Sequence, residues 1–227
     1  MNCAEKWSFV LTGVLSFKSV SKQTSCEIMV KNSRFIAGVT SVWSQEECNV
    51  FLAQKRAAYS DASHNVFAYR LRCGGSLLER QSDDGEPSGT AGKPVLDILT
   101  GMQLINVSIN ITRYFGGTLL GTGGLVRAYQ AAAREAIVLA GISNFRRLLP
   151  VRLCLPYHAY DKFMHTARAS EDCFQVSGSS FGENVTISLV CLEEYSAKLQ
   201  TIVSNLSQNT QLTFGESYYG VLANCAT

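Results

Sequence analysis

The sequence predicts an α+β protein of two domains, and three observations predict it. Its 227 residues are long for one domain and comfortable for two, and 46% of them are apolar, which supplies sizeable cores and argues against disorder. Charge is divided unevenly. Residues 1–147 hold 16 Lys/Arg against 11 Asp/Glu, and residues 148–227 hold 4 against 7. A basic first part and an acidic second part read as two units. After Pro150, strand and helix patterns follow in the order βαββαβ, the ferredoxin-like split sandwich.

Each element has a local reason. Thr24–Val30 and Arg34–Ser41 alternate apolar and polar residues like strands, joined by the turn Lys31-Asn32-Ser33. Ser44 is a good N-cap and Glu47 completes a capping box, which opens a helix running to Ala58. His64–Arg72 alternates again, Cys73-Gly74-Gly75-Ser76 is a hairpin turn, and Leu77–Gln81 returns. Pro94 then starts a helix in the favoured first turn, with Val95, Leu99 and Met102 at helical spacing. Val107–Thr112 is a strand. A long helix covers about Gly123 to Ala140, with Leu125, Ala128, Ala132, Ala136 and Leu139 as its buried stripe and Arg127, Gln130 and Arg134 on the other face. Beyond Pro150 come strand Val151–Leu155, helix Tyr157–Ala169, strands Cys173–Phe181 and Val185–Cys191, helix Ser196–Leu206 and strand Gln211–Tyr219.

Several function classes are disfavoured. No two of the eight cysteines have zinc-ligand spacing and there are three histidines, so no metal is expected, and the thiols read as reduced and mostly buried. The sequons at Asn106, Asn110, Asn184 and Asn205 read as chance, because three lie in or beside strand patterns that a glycan would disrupt. The apolar run Phe9–Phe17 has no small-residue cleavage site after it. No stretch reaches the ~18 apolar residues of a membrane span. The chain is expected to be cytoplasmic, without membrane contact and without a cofactor.

Two glycine-punctuated stretches carry the chemistry: residues 83–92, DDGEPSGTAG, and residues 112–124, TRYFGGTLLGTGG. Charged residues beside glycines mean close backbone approach with charge at hand. The second stretch lies between a strand and a helix, where free N–H groups and the helix dipole favour an anion. It is not the dinucleotide fingerprint, and Gly92-Lys93-Pro94 is not a phosphate loop. Asp83, Asp84 and Glu86 are clustered as a divalent metal would want, but the turn sequence Asp84-Gly85-Glu86-Pro87 favours a solvated turn. In a further alternative, preferred to the metal, a carboxylate pairs with Arg113 and holds the two loops together. His64 stands at a strand start, either as a polar edge residue or as a general base. Arg113-Tyr114-Phe115 with Arg127, Tyr129 and Arg134 mixes cations and aromatics, as phosphate contact with base stacking would use. The alternative is that the aromatics are core and the arginines a solvated face.

Taken in order, these residues resemble the YigZ/IMPACT family: His64, Ala68-Tyr69-Arg70, Asp83 to Pro87, Gly89 to Pro94, Thr112 to Gly117, Leu120 to Leu125 and Arg127 to Tyr129. A cysteine a few residues before the histidine, found in many relatives, is replaced here by Ser60-Asp61-Ala62-Ser63, so a thiol role there is unsupported. With its architecture the resemblance covers about residues 20–220. It implies an N-terminal extension at 1–19, an Impact-type domain at 20–147 and a ferredoxin-like domain at 150–222. The first resembles the α/β sandwich of the second domain of the fifth small-subunit ribosomal protein. The second resembles domains of elongation factor G. The function implied is binding of RNA, the ribosome or a translation factor, and not kinase inhibition, because the domain carrying that contact in eukaryotic members has no counterpart here.

The ligand-facing residues expected are His64, Asp84, Glu86, Lys93, Arg113, Tyr114, Gly116, Gly117, Gly121, Gly123 and Arg127. No residue is expected to be catalytic on the binding reading. The alternative is an enzyme acting on a phosphorylated or nucleotide small molecule through His64, Asp84, Glu86 and Arg113.

Overall fold

The computed structural model describes residues 16–73 and 76–222 of the chain. Gly74 and Gly75 of the expected hairpin turn, Cys3, Cys225 and most of the Phe9–Phe17 run lie outside the described residues. The described chain divides into two compact units, residues 16–143 and residues 144–222.

The first unit holds strands β1 (Ser16–Val20), β2 (Thr24–Val30) and β3 (Ser33–Ser41), helix α1 (Gln45–Ala58), strands β4 (His64–Cys73) and β5 (Ser76–Ser82), helix α2 (Gly92–Gly101), strand β6 (Val107–Tyr114) and helix α3 (Thr122–Ala140). Its five-stranded sheet has the order β2-β3-β6-β4-β5. Every pairing in it is antiparallel. Successive side chains leave opposite faces of a strand. Phe35, Ala37 and Val39 of β3, Val66 and Ala68 of β4, and Val107, Ile109 and Ile111 of β6 therefore share one core with α2 and α3. Tyr69 and Leu71 of β4 face the other way and pack with Cys48 of α1. Helices on both faces of one sheet make the expected α/β sandwich.

The capping at α1 follows the sequence closely. Glu47 N–H donates to Ser44 Oγ at 3.1 Å, and the Glu47 carboxylate reaches back to the N–H of Trp43 at 2.9 Å. The expected stripe of α3 needs one correction. Leu139 is exposed, and Tyr129, Ala133 and Ile137 are buried with Leu125, Ala128, Ala132 and Ala136. At 3.6 residues per turn, Leu139 lies on the flank of the stripe that Ala136 and Ala140 complete. Residues 16–20, assigned from the sequence mostly to an extension, form β1 and bury Phe17, Ser19 and Val20. Asn106 and Asn110 of the sequons are buried.

The second unit contains most of β7 (Ile142–Leu155), then α4 (Tyr157–Arg168), β8 (Phe174–Phe181), β9 (Val185–Leu192), a 3-10 turn at Glu193–Tyr195, α5 (Ser196–Ser204), β10 (Gln211–Phe214) and β11 (Tyr218–Gly220). Strands run β8-β9-β7-β10 with all neighbours antiparallel, which is the ferredoxin-like arrangement. Pro150 does not start a domain, because β7 runs straight through it. A proline has no N–H for a sheet ladder. Pro150 stands where the partner on one side is interrupted, between β10 opposite Val151 and β11 opposite Leu148, and its carbonyl accepts from Gly215 N–H at 2.8 Å.

Six cysteines fall among the described residues and all are free. Cys48 and Cys191 are buried, and burial pushes their thiols up to about 12 and about 11. The other four are half-buried, so the expectation of mostly buried thiols is too strong. Among the described residues no helix is long and apolar enough to cross a membrane.

Candidate functional site

The alternation of β6 decides where its last charge goes. Val107, Ile109 and Ile111 face α2 and α3, so Arg113 faces them too. It is only 5% exposed. A buried guanidinium needs a partner, and Glu86, 7% exposed, supplies one. Arg113 Nη1 donates to Glu86 Oε1 at 2.7 Å, and the Tyr129 hydroxyl donates to the same oxygen at 2.7 Å. Burial first, and this hydrogen bond second, push the Tyr129 phenol well above its ordinary range. Arg113 lies between two rings, with its guanidinium carbon 5.5 Å from the Phe35 centroid and 5.6 Å from that of Phe115. Its Nη2 donates to Ser33 Oγ at 3.3 Å, and its Nε has no acceptor among the described residues.

The three acids of the first loop diverge. Glu86 N–H donates to Asp83 O at 3.0 Å, while Asp84 and Gly85 both have positive φ, as in a type I′ turn. The turn therefore spans residues 83–86, one residue earlier than the sequence suggests. Asp83 accepts from the N–H groups of Gly89, Ala91 and Gly92 at 2.8, 3.0 and 2.7 Å, capping the start of α2. Asp84 accepts from Arg56 at 2.9 Å and from Asn65 N–H at 2.6 Å. Among the described residues no three acidic, Cys or His side chains are grouped as a metal would require. Asp83→Ala should lower stability by about 1–2 kcal/mol, the range of a lost helix cap. Urea unfolding measures it, and an unchanged midpoint would contradict the capping role.

Asp84 also sets the state of His64. Its carbonyl lies 2.9 Å from His64 Nδ1. A carbonyl only accepts, so Nδ1 carries the proton, and in the neutral ring Nε2 keeps its lone pair. Nε2 lies 3.8 Å from Glu86 Oε1, beyond hydrogen-bond length.

The second loop wraps the other side. Gly116 passes against the β2–β3 turn, and its N–H donates to Ser33 Oγ at 3.2 Å. Gly121 has φ +70° and precedes α3, and no side chain among the described residues caps that helix. Between the loops lies a cavity of about 450 Å³, lined by His64, Glu86, Arg113, Phe115, Leu119, Leu120, Gly121, Thr122 and Leu125.

Of the expected site residues, His64, Glu86, Arg113 and Gly121 meet in this cavity. Asp84 supports it through His64, and Gly116 and Gly117 shape its loop. Arg127 is exposed near the first turn of α3, where a Cβ on Gly123 would lie 3.5 Å from its Nη1. Lys93 is not brought there and pairs with Asp97 one turn along α2. Tyr114 points to the other face of the sheet, donating to Asp61 at 2.7 Å beneath the Arg34 guanidinium. Between phosphate contact with base stacking, and core aromatics with solvated arginines, the residues divide: Arg113 and Tyr129 are buried, Phe115 is 48% exposed, and Arg127 and Arg134 are exposed. Ser33, Arg56 and Asn65 were not legible as participants, because each acts through contacts distant in sequence.

These features define an α+β protein of two compact units, the first of which carries a candidate site between two glycine loops. The Impact N-terminal domain family profile matches residues 31–137. IMPACT family member YvyE of Bacillus subtilis is 32% identical over 170 residues, covering 75% of this chain and 77% of that protein. IMPACT family member YigZ of Escherichia coli is 40% identical over 112 residues, covering 48% of this chain and 53% of that protein. A crystal structure described as that of a hypothetical protein has a TM-score of 0.57 at 27% identity, covering 88% of this chain and 97% of that one. The chain belongs to the IMPACT family.

Proposed function

We propose that this chain is a binding protein that modulates translation, using the cavity between its two glycine loops to engage RNA, the ribosome or a translation factor. The observation that carries the reading is how that cavity is built. Its strong acid and base, Glu86 and Arg113, are bound to each other at 2.7 Å and serve as its frame. What remains for a partner is recognition chemistry: a half-exposed Phe115, the uncapped start of α3, exposed Arg127 and the lone pair of His64. The family resemblance links that recognition to translation.

One observation favours the enzymatic alternative, namely that His64 Nε2 is free to take a proton from a bound phosphorylated or nucleotide molecule. In that case His64→Ala would abolish turnover while leaving affinity largely intact.

Crosslinking in cells tests the binding reading, comparing the unaltered chain with Phe115→Ala and Arg127→Glu. Ribosomal RNA, transfer RNA or a translation protein should be recovered with the chain, and recovery should fall in both variants. RNA affinity in vitro should weaken as salt rises. Recovery of none of these partners overturns the proposal.

A further inference from the structure

We propose that the cavity seats one nucleotide of single-stranded RNA, with its phosphate at the first turn of α3, its ribose 2′-hydroxyl on His64 and its base against Phe115. This rests on the binding reading above and names the ligand chemistry of the same site.

The anionic end has two independent supports. An α-helix leaves its first N–H groups without intrahelical acceptors, and the 19-residue α3 starts at Thr122 with no side-chain cap. Gly121 and Thr122 line the cavity, and the dipole of α3 adds positive potential there. Arg113 lines the same cavity, and its buried Nε–H has no acceptor among the described residues. The Glu86 carboxylate would repel an anion, but the Arg113 guanidinium at 2.7 Å balances its charge.

The second point of recognition is an acceptor. The Asp84 carboxylate is held by Arg56 and by Asn65 N–H, which fixes the Asp84 carbonyl that accepts a hydrogen bond from His64 Nδ1–H. His64 Nε2 then offers a lone pair to the cavity. A hydroxyl donates to it, whereas deoxyribose has none at the 2′ position, the group by which proteins tell RNA from DNA.

The third is a stacking surface. Phe115 rests on the Arg113 guanidinium and is 48% exposed, beside Leu119 at 83%. Bases stack on exposed aromatic rings with little regard to sequence. A cavity of about 450 Å³ falls within the usual range for a small ligand, which suits a single splayed nucleotide and not a duplex. The basic balance of residues 1–147 favours the backbone on either side.

The test is fluorescence anisotropy of the full chain with a labelled ten-nucleotide single-stranded RNA, the DNA of the same sequence and the 2′-O-methyl RNA. RNA should bind about tenfold tighter than DNA, the scale of one well-made hydrogen bond. Methylation should reduce RNA to the level of DNA, and His64→Ala should remove the difference. Phe115→Ala should lose about tenfold for both, the scale of one stacked base. If His64→Ala does not fold by circular dichroism, the methylated RNA carries that arm with the protein unchanged. Equal affinity for RNA and DNA overturns the proposal, and so does RNA binding unaffected by Phe115→Ala. Both outcomes leave the translation reading standing. Recovery of a translation protein without RNA affinity also overturns the nucleotide proposal alone. Recovery of no translation partner of either kind overturns both.

Discussion

Arg113→Ala is expected to destabilise the first unit by about 3–5 kcal/mol, the range for removing one partner of a buried ion pair. The reason lies in what stays behind. Glu86 is 7% exposed and keeps its carboxylate beside the Tyr129 hydroxyl, so its charge is left with one neutral donor instead of a guanidinium and a hydroxyl. The substitution also removes the guanidinium between Phe35 and Phe115 and one of the two hydrogen bonds to Ser33. The double variant with Glu86→Ala should lose clearly less than the sum of the single losses, because the second substitution removes the unpaired charge left by the first. A chain of two units need not unfold in one step. Hydrogen exchange at the amides of β6, followed against urea, therefore reads the first unit apart from the second. A loss below about 1 kcal/mol would place the pair among surface ion pairs and contradict its burial.

That ion pair also marks how far the sequence could be read. The pairing of a first-loop acid with Arg113 stood in the sequence only as an alternative to a solvated turn, and burial decides it: the strand that buries Val107, Ile109 and Ile111 also buries Arg113, and a buried arginine needs an acid. Which acid pairs is not legible, since Asp83, Asp84 and Glu86 are adjacent. The type I′ turn sends Asp83 to α2, Asp84 to Arg56 and Glu86 to the core. The capping of α1 and the βαββαβ order are readable because capping and alternation are local. The participation of Ser33 is not, because it depends on the β2–β3 turn meeting a loop about eighty residues later. Pro150 reads as a boundary because proline interrupts ladders, yet here it fits the gap between β10 and β11 within one strand.

Gly116→Ala should destabilise the first unit by about 3 kcal/mol, the upper end of ordinary overpacking. Gly117→Ala, one residue later, should cost about 1–2 kcal/mol, the penalty of a left-handed backbone for an L-residue. The two glycines are adjacent in one motif but are required for different reasons. A Cβ on Gly116 would lie 2.0 Å from the carbonyl carbon and oxygen of Asn32 and 2.4 Å from Ser33 N. These are backbone atoms, and they cannot rotate aside as a side-chain tip can. The same movement would break the contacts of the Gly116 N–H and Arg113 with Ser33 Oγ. Gly117 has φ +80° with nothing within 4 Å of its would-be Cβ, so only conformational preference opposes a side chain there. Thermal unfolding of the two variants should therefore give the larger loss for Gly116→Ala. The reverse order would mean that Gly116 is not held against the β2–β3 turn.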